Sequence, residues 1–495
     1  MNYRICKVSL FLILFASLRL CAAQESPNIV IILADDLGYG SANCYGADIR
    51  HIRTPNIDQL AEEGIKFLDA NTSGSVCTPT RYALLTGRYA WRGRLKYGVL
   101  SPPEGPLLIE PELLTLPEYL KEHGYQTAHF GKWHLGYTNL PAVEDLSAQP
   151  LEPGPRSMGF DYHFAVPNQI DWLPKVYVEN ESIWGLRSVG KHPYGKSSYK
   201  GQHYHGYDAP QRVTTQVSQD LCDAARNWIF KAVRQNPQKP FFLYFAQVAV
   251  HGPISPSEKW RGSSGVGPYG DFIHDVDYSV GEIIDALAYS GVLDDTIVIF
   301  TSDNGGDTGQ IEEQQARDKG FKNNGDFRGD KHTIWEGGFK VPFVVRWPKA
   351  IKKGRQSDRM INLVDIYATL QEIVEGKVIG PQTAGADSFS FCSELLGNAT
   401  EKSSRETMVL NDVKGIVAIR MNDWKYIENK AERPADKTRQ KKNPNLSKPQ
   451  LYNLKKDPVE ATNVINEFPE IAEKMQKTLD RIREQGSERM AAKER

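Results

Sequence analysis

The stretch Asn28–Asp36 reads NIVIILADD. Six apolar residues, four of them β-branched, run without a polar interruption and end on two adjacent carboxylates. An unbroken run of this kind marks a strand covered on both faces, as in a mainly parallel sheet; a half-exposed strand would alternate. Working outward, TIVIFT at Thr296–Thr301 repeats the pattern, FFLYFAQVAV at Phe241–Val250 reads as a further buried strand, and VPFVVRWP from Val341 as a last one ending at a proline. Helical segments lie between them. Thr54-Pro55 opens one and Gly64 closes it, Val213–Val233 is a long candidate, and Val276, Val280, Ile283, Ile284 and Leu287 recur at helical spacing. Strands alternating with helices predict an α/β fold with a large, mainly parallel sheet sandwiched by helices.

The chain has 495 residues, room for one large α/β domain and a smaller companion. The texture changes near residue 380. We expect a catalytic domain over 24–380 and a C-terminal α+β subdomain over 381–495 with a small antiparallel sheet. Phe468, Ile471, Met475, Leu479 and Ile482 form one stripe of its terminal helix. Residues 414–450 are rich in Lys and Arg and read as a solvated loop or hairpin insertion. Hydrophobic residues at 40% and charged residues at 24% exclude wholesale disorder, collagen and coiled coil. Sixty Lys and Arg against 61 Asp and Glu argue against a surface built to neutralise nucleic-acid phosphates, while permitting a small cationic pocket. Six cysteines are too few for a disulfide scaffold.

Arg4 and Lys7 precede an apolar run from Val8 to Leu18, with Cys21-Ala22-Ala23 after it. A basic start, a short apolar core and a small-residue end describe a signal peptide over 1–23, and the core is too short to span a bilayer. The expected location is periplasmic or extracellular, without integral membrane segments. Without that leader, Cys44, Cys77, Cys222 and Cys392 remain.

Four islands carry chemistry, each where a strand or loop ends, as ligand-binding residues do in open α/β sheets. Asp35-Asp36 repel one another unless a cation or donors hold them. Cys77-Thr78-Pro79-Thr80-Arg81 opens a helix that Gly87 ends, so Cys77 sits at a positive helix end with Arg81 one turn on. In Gly131-Lys132-Trp133-His134-Leu135-Gly136, an extended backbone would point Lys132 and His134 to one side. Asp303-Asn304 follow TIVIFT, with Arg328 and Lys331 downstream, and His251 follows FFLYFAQVAV. Asp35, Asp36, Asp303 and Asn304 make an all-oxygen set that suits Ca²⁺ or Mg²⁺ rather than zinc.

Together, Cys77-x-Pro79-x-Arg81 extended through Leu85-Thr86-Gly87-Arg88, the Gly131–Gly136 island, Trp335-Glu336-Gly337-Gly338 and the closing Leu451-Tyr452-Asn453-Leu454 and Asp457-Pro458 resemble the type I, formylglycine-dependent sulfatases of the alkaline-phosphatase-like superfamily. The resemblance covers nearly the whole chain after the leader. It implies that a maturation enzyme oxidises Cys77 to formylglycine, whose hydrate is the nucleophile. It implies that Asp35, Asp36, Asp303, Asn304 and the oxygen of residue 77 bind one Ca²⁺. Calcium and Arg81 would activate the attacking oxygen of the hydrate, Lys132 and Lys331 would hold the sulfate, His251 would protonate the leaving oxygen, and His134 would deprotonate the second hydroxyl of the hydrate to expel sulfate. The expected reaction is exo-type hydrolysis of sulfate monoesters on a sulfated carbohydrate, of marine-galactan or glycosaminoglycan type. Asp171, Trp172, His203, His205 and Arg328 are candidate sugar contacts, and Tyr39, His51 and Arg53 further pocket residues. Two alternatives stand beside this reading: a phosphomonoesterase or phosphodiesterase of the same superfamily, which would favour Ser or Thr at the nucleophile and two zinc ions, and a carbohydrate-binding protein with Cys77 unmodified.

Overall fold

The structure is a computed structural model that describes residues 26–101, 105–139, 145–171, 173–196, 203–382, 384–398, 405–428 and 448–493. The expected signal peptide and Trp172 lie outside the described residues. A ten-stranded sheet forms the centre. Its strands are β1 (Asn28–Ala34), β2 (Ile65–Phe67), β3 (Gln126–Lys132), β4 (Tyr162–Val166), β5 (Val178–Glu179), β6 (Ser182–Ile183), β7 (Phe241–Ala246), β8 (Thr296–Ser302), β9 (Phe343–Arg346) and β10 (Arg355–Ser357). The spatial order is β10-β2-β9-β8-β1-β7-β3-β4-β5-β6. The five central strands β8, β1, β7, β3 and β4 run parallel, and β9 and β5 turn antiparallel on either side. Their carboxyl ends therefore share one edge.

The decisive run NIVIILA is β1, fully buried along its length. Ile29, Ile31 and Leu33 face a core shared with α2 (Cys77–Thr86), α3 (Leu116–Glu122) and α7 (Ile366–Glu375), counting helices α1 (Pro55–Glu63), α4 (Val217–Gln235), α5 (Pro268–Tyr289) and α6 (Ile311–Asp318) in chain order. Val30, Ile32 and Ala34 face the opposite core, built with α1, α4 and α5. Covering both faces removes any need for polar residues in the strand, which explains the unbroken pattern.

Several expected boundaries shift. The long helix begins at Val217 rather than Val213. The strand from Phe241 ends at Ala246, because Ala249 and Val250 leave the ladder to bond Asp35: Asp35 N donates to Ala249 O at 2.9 Å and Val250 N to Asp35 O at 2.6 Å. β3 ends at Lys132, and His134 takes a left-handed conformation at φ 54, so the extended geometry expected to point both side chains one way stops between them.

Beyond the main sheet, β11 (Thr407–Asn411), β12 (Val417–Met421), β13 (Trp424–Ile427) and β14 (Gln450–Asn453) form an antiparallel sheet, packed by Met475, Leu479 and Ile482 of α8 (Pro469–Glu484). The basic stretch 414–450 opens with the hairpin of β12 and β13, as one of its two expected forms had it, but it is not solvated throughout, and residues 429–447 lie outside the described residues. Arg420 and Lys425 are buried because carboxylates of the main domain, and Glu460 of their own region, await them. Arg420 meets both oxygens of Asp69 at 2.7 and 2.9 Å, and Lys425 Nζ lies 3.0 Å from Glu336 and 2.9 Å from Glu460. Cys44, Cys77, Cys222 and Cys392 all carry free thiols. Among the described residues, no helix is long and apolar enough to cross a membrane.

Replacing Lys425 with methionine leaves Glu336 and Glu460 buried side by side without their shared cation. The variant should lose about 3–5 kcal/mol of unfolding free energy in a denaturant titration; a loss below about 1 kcal/mol would contradict a role for this ion pair in holding the sheet to the main domain.

Candidate active site

The islands converge at the carboxyl edge of the central strands. β1 delivers Asp35 and Asp36, β8 delivers Asp303 and Asn304, and β3 delivers Lys132. α2 begins at Cys77 and turns Arg81 back to the same place. Ligand atoms of Asp35, Asp36, Cys77 and Asp303 all lie within 4.8 Å of one another, and His251 joins Asp36 and Cys77 in a second such group. The close approach of β3 to β7 depends on Gly131, at φ +105: a Cβ there would sit 1.8 Å from Ala246 O.

Each carboxylate has a cation. Lys132 Nζ lies 2.7 Å from Asp35 Oδ2 and 3.3 Å from Cys77 Sγ. Lys331 Nζ lies 2.6 Å from Asp36 Oδ2, and His251 Nε2 lies 3.7 Å from the same oxygen. Arg81 donates from Nε and Nη2 to Asp303 Oδ2 at 3.0 and 2.7 Å, and from Nη1 to Lys132 O at 2.9 Å. Asp36 N donates to Asp303 Oδ1 at 3.1 Å and Asn304 Nδ2 to Asp36 Oδ1 at 2.8 Å.

Burial sets the electrostatics and the neighbours decide each outcome. Burial pushes the Asp35 carboxyl up to about 7, against the pull of Lys132. Asp36 stays well below the usual carboxylate range despite burial, because the Lys331 ammonium favours its charge. Burial alone would discharge Lys132 and Lys331; Asp35 and Asp36 instead hold each lysine above its ordinary value. Burial, and next the Asp303 carboxylate, drive the Cys77 thiol far up, so the thiolate that would make cysteine a nucleophile is disfavoured. Burial followed by Lys132 keeps His134 neutral, and burial followed by Lys331 does the same for His251. His134 Nε2 faces Leu100 O at 3.3 Å while its buried Nδ1 has no partner, which suits the ring to accept a proton there. His251 Nδ1 faces Gly252 O at 2.6 Å, which turns Nε2 toward Asp36.

The residues fit a hard cation. The donors are oxygens, and Asn304 Oδ1 is buried without a hydrogen-bond partner beside three carboxylates, an arrangement that an ion would satisfy.

Not every expected residue reaches this place. Arg328 lies over Trp335, 4.0 Å from the ring centroid, and donates to Glu460 O at 2.7 Å, so it ties the C-terminal sheet to the main domain. Asp171 is buried, and burial raises its carboxyl against the pull of Lys175. His203 and His205 fall on a two-stranded ribbon, His203–Asp208 paired with Ser188–Lys196. The sequence reading passed over Gln169, whose Nε2 lies 3.4 Å from His251 Nε2. No motif marks it; it meets His251 because it follows the end of β4 at the shared carboxyl edge.

Comparison with known proteins agrees with this geometry. The family described as Sulfatase matches residues 27–376, and that described as N-sulphoglucosamine sulphohydrolase, C-terminal, matches residues 325–485. An N-acetylgalactosamine-6-O-sulfatase of Bacteroides thetaiotaomicron is 33% identical, with 93% of this chain and 94% of that protein covered. Human arylsulfatase A is 32% identical over 92% of this chain and 86% of its own length. A solved structure described under the metabolism of multiple glycosaminoglycans by Bacteroides thetaiotaomicron has a TM-score of 0.82 at 32% identity, covering 93% of this chain and 99% of that one. A phosphonate monoester hydrolase of Agrobacterium radiobacter, 20% identical with a TM-score of 0.60 over 93% of this chain and 96% of that one, shares the fold. With the sulfatase match spanning most of its length and the converged islands in place, the chain belongs to the sulfatase family and is a sulfuric ester hydrolase.

Proposed function

We propose that the protein removes sulfate from the end of a glycosaminoglycan-type saccharide, with the 6-O-sulfate of N-acetylgalactosamine the leading substrate. The observation that carries the reading is the placement of position 77, on the first turn of α2, against Lys132 at 3.3 Å and inside the oxygen cluster. The substrate class follows from the relatives named for N-acetylgalactosamine-6-sulfate, one of them covering nearly the full chain. End-on action follows from burial: Cys77, Arg81, Lys132 and His134 are almost wholly enclosed, while His251 keeps a side-chain exposure of 12%. Side chains enclosed to this degree favour a terminal sugar over the middle of a chain.

A thiol held un-ionised among carboxylates is a poor nucleophile, so the reading requires Cys77 to be oxidised to the aldehyde formylglycine, whose hydrate presents an oxygen to sulfur. One Ca²⁺ held by Asp35, Asp36, Asp303, Asn304 and the oxygen of residue 77 would supply fixed positive charge where negative charge develops. The remaining roles belong to the chain's own side chains. Arg81 orients the group at position 77 from one turn away. Lys132 and Lys331 have their ammonium groups at the cluster and turn to sulfate oxygens when an ion takes over the carboxylates. His251 protonates the leaving sugar oxygen from Nε2; the anionic ester beside it favours the charged ring that burial otherwise suppresses. His134 accepts a proton at its unpartnered Nδ1 when sulfate departs. Secretion to the periplasm or beyond suits a polymeric substrate.

Protein produced together with an aldehyde-forming maturation enzyme should carry the aldehyde at position 77 by peptide mass spectrometry. It should release inorganic sulfate from N-acetylgalactosamine 6-sulfate at the end of a defined oligosaccharide, and far more slowly from the 4-sulfate. Full activity in a sample with an intact thiol at position 77, or no release from any sulfated sugar, would contradict the reading. His251→Ala should lower kcat on the sugar sulfate by about 10²-fold or more while affecting 4-nitrophenyl sulfate much less, since an activated phenol leaves without a proton; equal losses on both would remove the proton-donor role.

A further inference from the structure

A cavity of about 690 Å³ lies outside the cluster, lined mainly by the two loops that carry Asp36 and Lys331 and completed by Pro458 and Val459. One wall starts at Tyr39, three residues after Asp36, and runs to His51; the other is the 320–327 turn, which ends four residues before Lys331. Tyr39 bridges the walls, edge-on to Tyr45 at 4.9 Å and to Phe327 at 5.2 Å, and His51 stands edge-on to Phe321 at 6.1 Å. The walls are locked to each other and to the reaction centre. Gly40 N donates to Asn323 O at 2.8 Å, Gly306 N to Asn324 Oδ1 at 2.7 Å, and Lys331 N to Gly306 O at 3.1 Å. A Cβ on Gly38 would fall 2.2 Å from Asn324 Oδ1 and one on Gly40 2.3 Å from Lys322 O, so the loops meet closely only because both positions are glycine. The groove is therefore preformed, and its volume lies in the range that holds small ligands.

The chemistry of the rim selects the occupant. Asp48 pairs with Arg50, and Lys322 Nζ lies 2.7 Å from Asp326, so the rim offers charged hydrogen-bonding groups with no surplus positive charge for a sulfate. Half-buried Tyr39 and Phe327 add aromatic surface. Aromatic surface beside paired ionic groups matches the apolar C–H face and the hydroxyl edge of a pyranose. We propose that this groove is a second saccharide subsite, holding an unsulfated sugar ring of the same chain whose sulfated end enters the reaction centre. The assignment rests on the reading of the substrate as a saccharide chain, and it makes the protein a chain-binding enzyme rather than one that contacts a single sugar.

Calorimetric titration of the full chain with an unsulfated chondroitin hexasaccharide tests the subsite without turnover. The wild-type protein should bind it, and Phe327→Ala and the exposed-rim variant Asp326→Ala should each bind at least tenfold more weakly while hydrolysing 4-nitrophenyl sulfate at the wild-type rate. No binding by the wild type, or equal binding by both variants, overturns the proposal. Hexasaccharide binding that depends on Phe327 and Asp326, in a protein that releases no sulfate from sulfated sugars, would uphold this subsite and sink only the substrate reading above.

Discussion

Asp35, Asp36 and Asp303 bring three carboxylates within a few ångströms of one another in a place shut off from water, and the rest of the structure answers that arrangement. Buried like charges are tolerated only with counter-charge in place, and here it comes from Lys132, Lys331 and Arg81, each on a different segment. The pairing places three cations next to position 77. A divalent ion would take over the carboxylates and leave those cations to face an anionic ester.

The fold serves this arrangement through parallel strands. Because β8, β1, β7 and β3 run the same way, their carboxyl ends deliver Asp303, Asp35 and Lys132 to one edge, and α2 aims its first turn at the same point. Glycines permit the required closeness: Gly131 lets β3 lie against Ala246, and Gly305 packs where a Cβ would be 1.9 Å from Gly337 O. The C-terminal sheet is tied on by ion pairs rather than by apolar packing alone, with Glu336 of the Trp335-Glu336-Gly337-Gly338 turn meeting Lys425.

The central strands and most of the reaction centre were legible because their signals are local. An unbroken apolar run ending in Asp-Asp announces both a buried strand and what it delivers, and Cys77 to Arg81 is one helical turn. What could not be read depends on distant partners. Arg420 looked like part of a solvated basic stretch, yet its partner Asp69 lies 351 residues away. Arg328 also bonds to Glu460 O, 132 residues away, a partner that no local pattern shows. The left-handed turn at His134 interrupts a pattern that reads as extended, because its backbone N–H is drawn to Pro167 O at 2.9 Å. Gln169 carries no motif of its own, and only the placement of β4 brings it to His251.

The central claim is that the buried oxygens of Asp35, Asp36, Asp303 and Asn304 form a site for one hard cation beside Lys132, Lys331 and Arg81. Calorimetric titration of chelator-stripped protein with Ca²⁺ tests this most directly. The account predicts one ion per chain, with binding lost when Asp36 or Asp303 is changed to asparagine. An absence of binding, two ions per chain, or undiminished binding in both variants would contradict it.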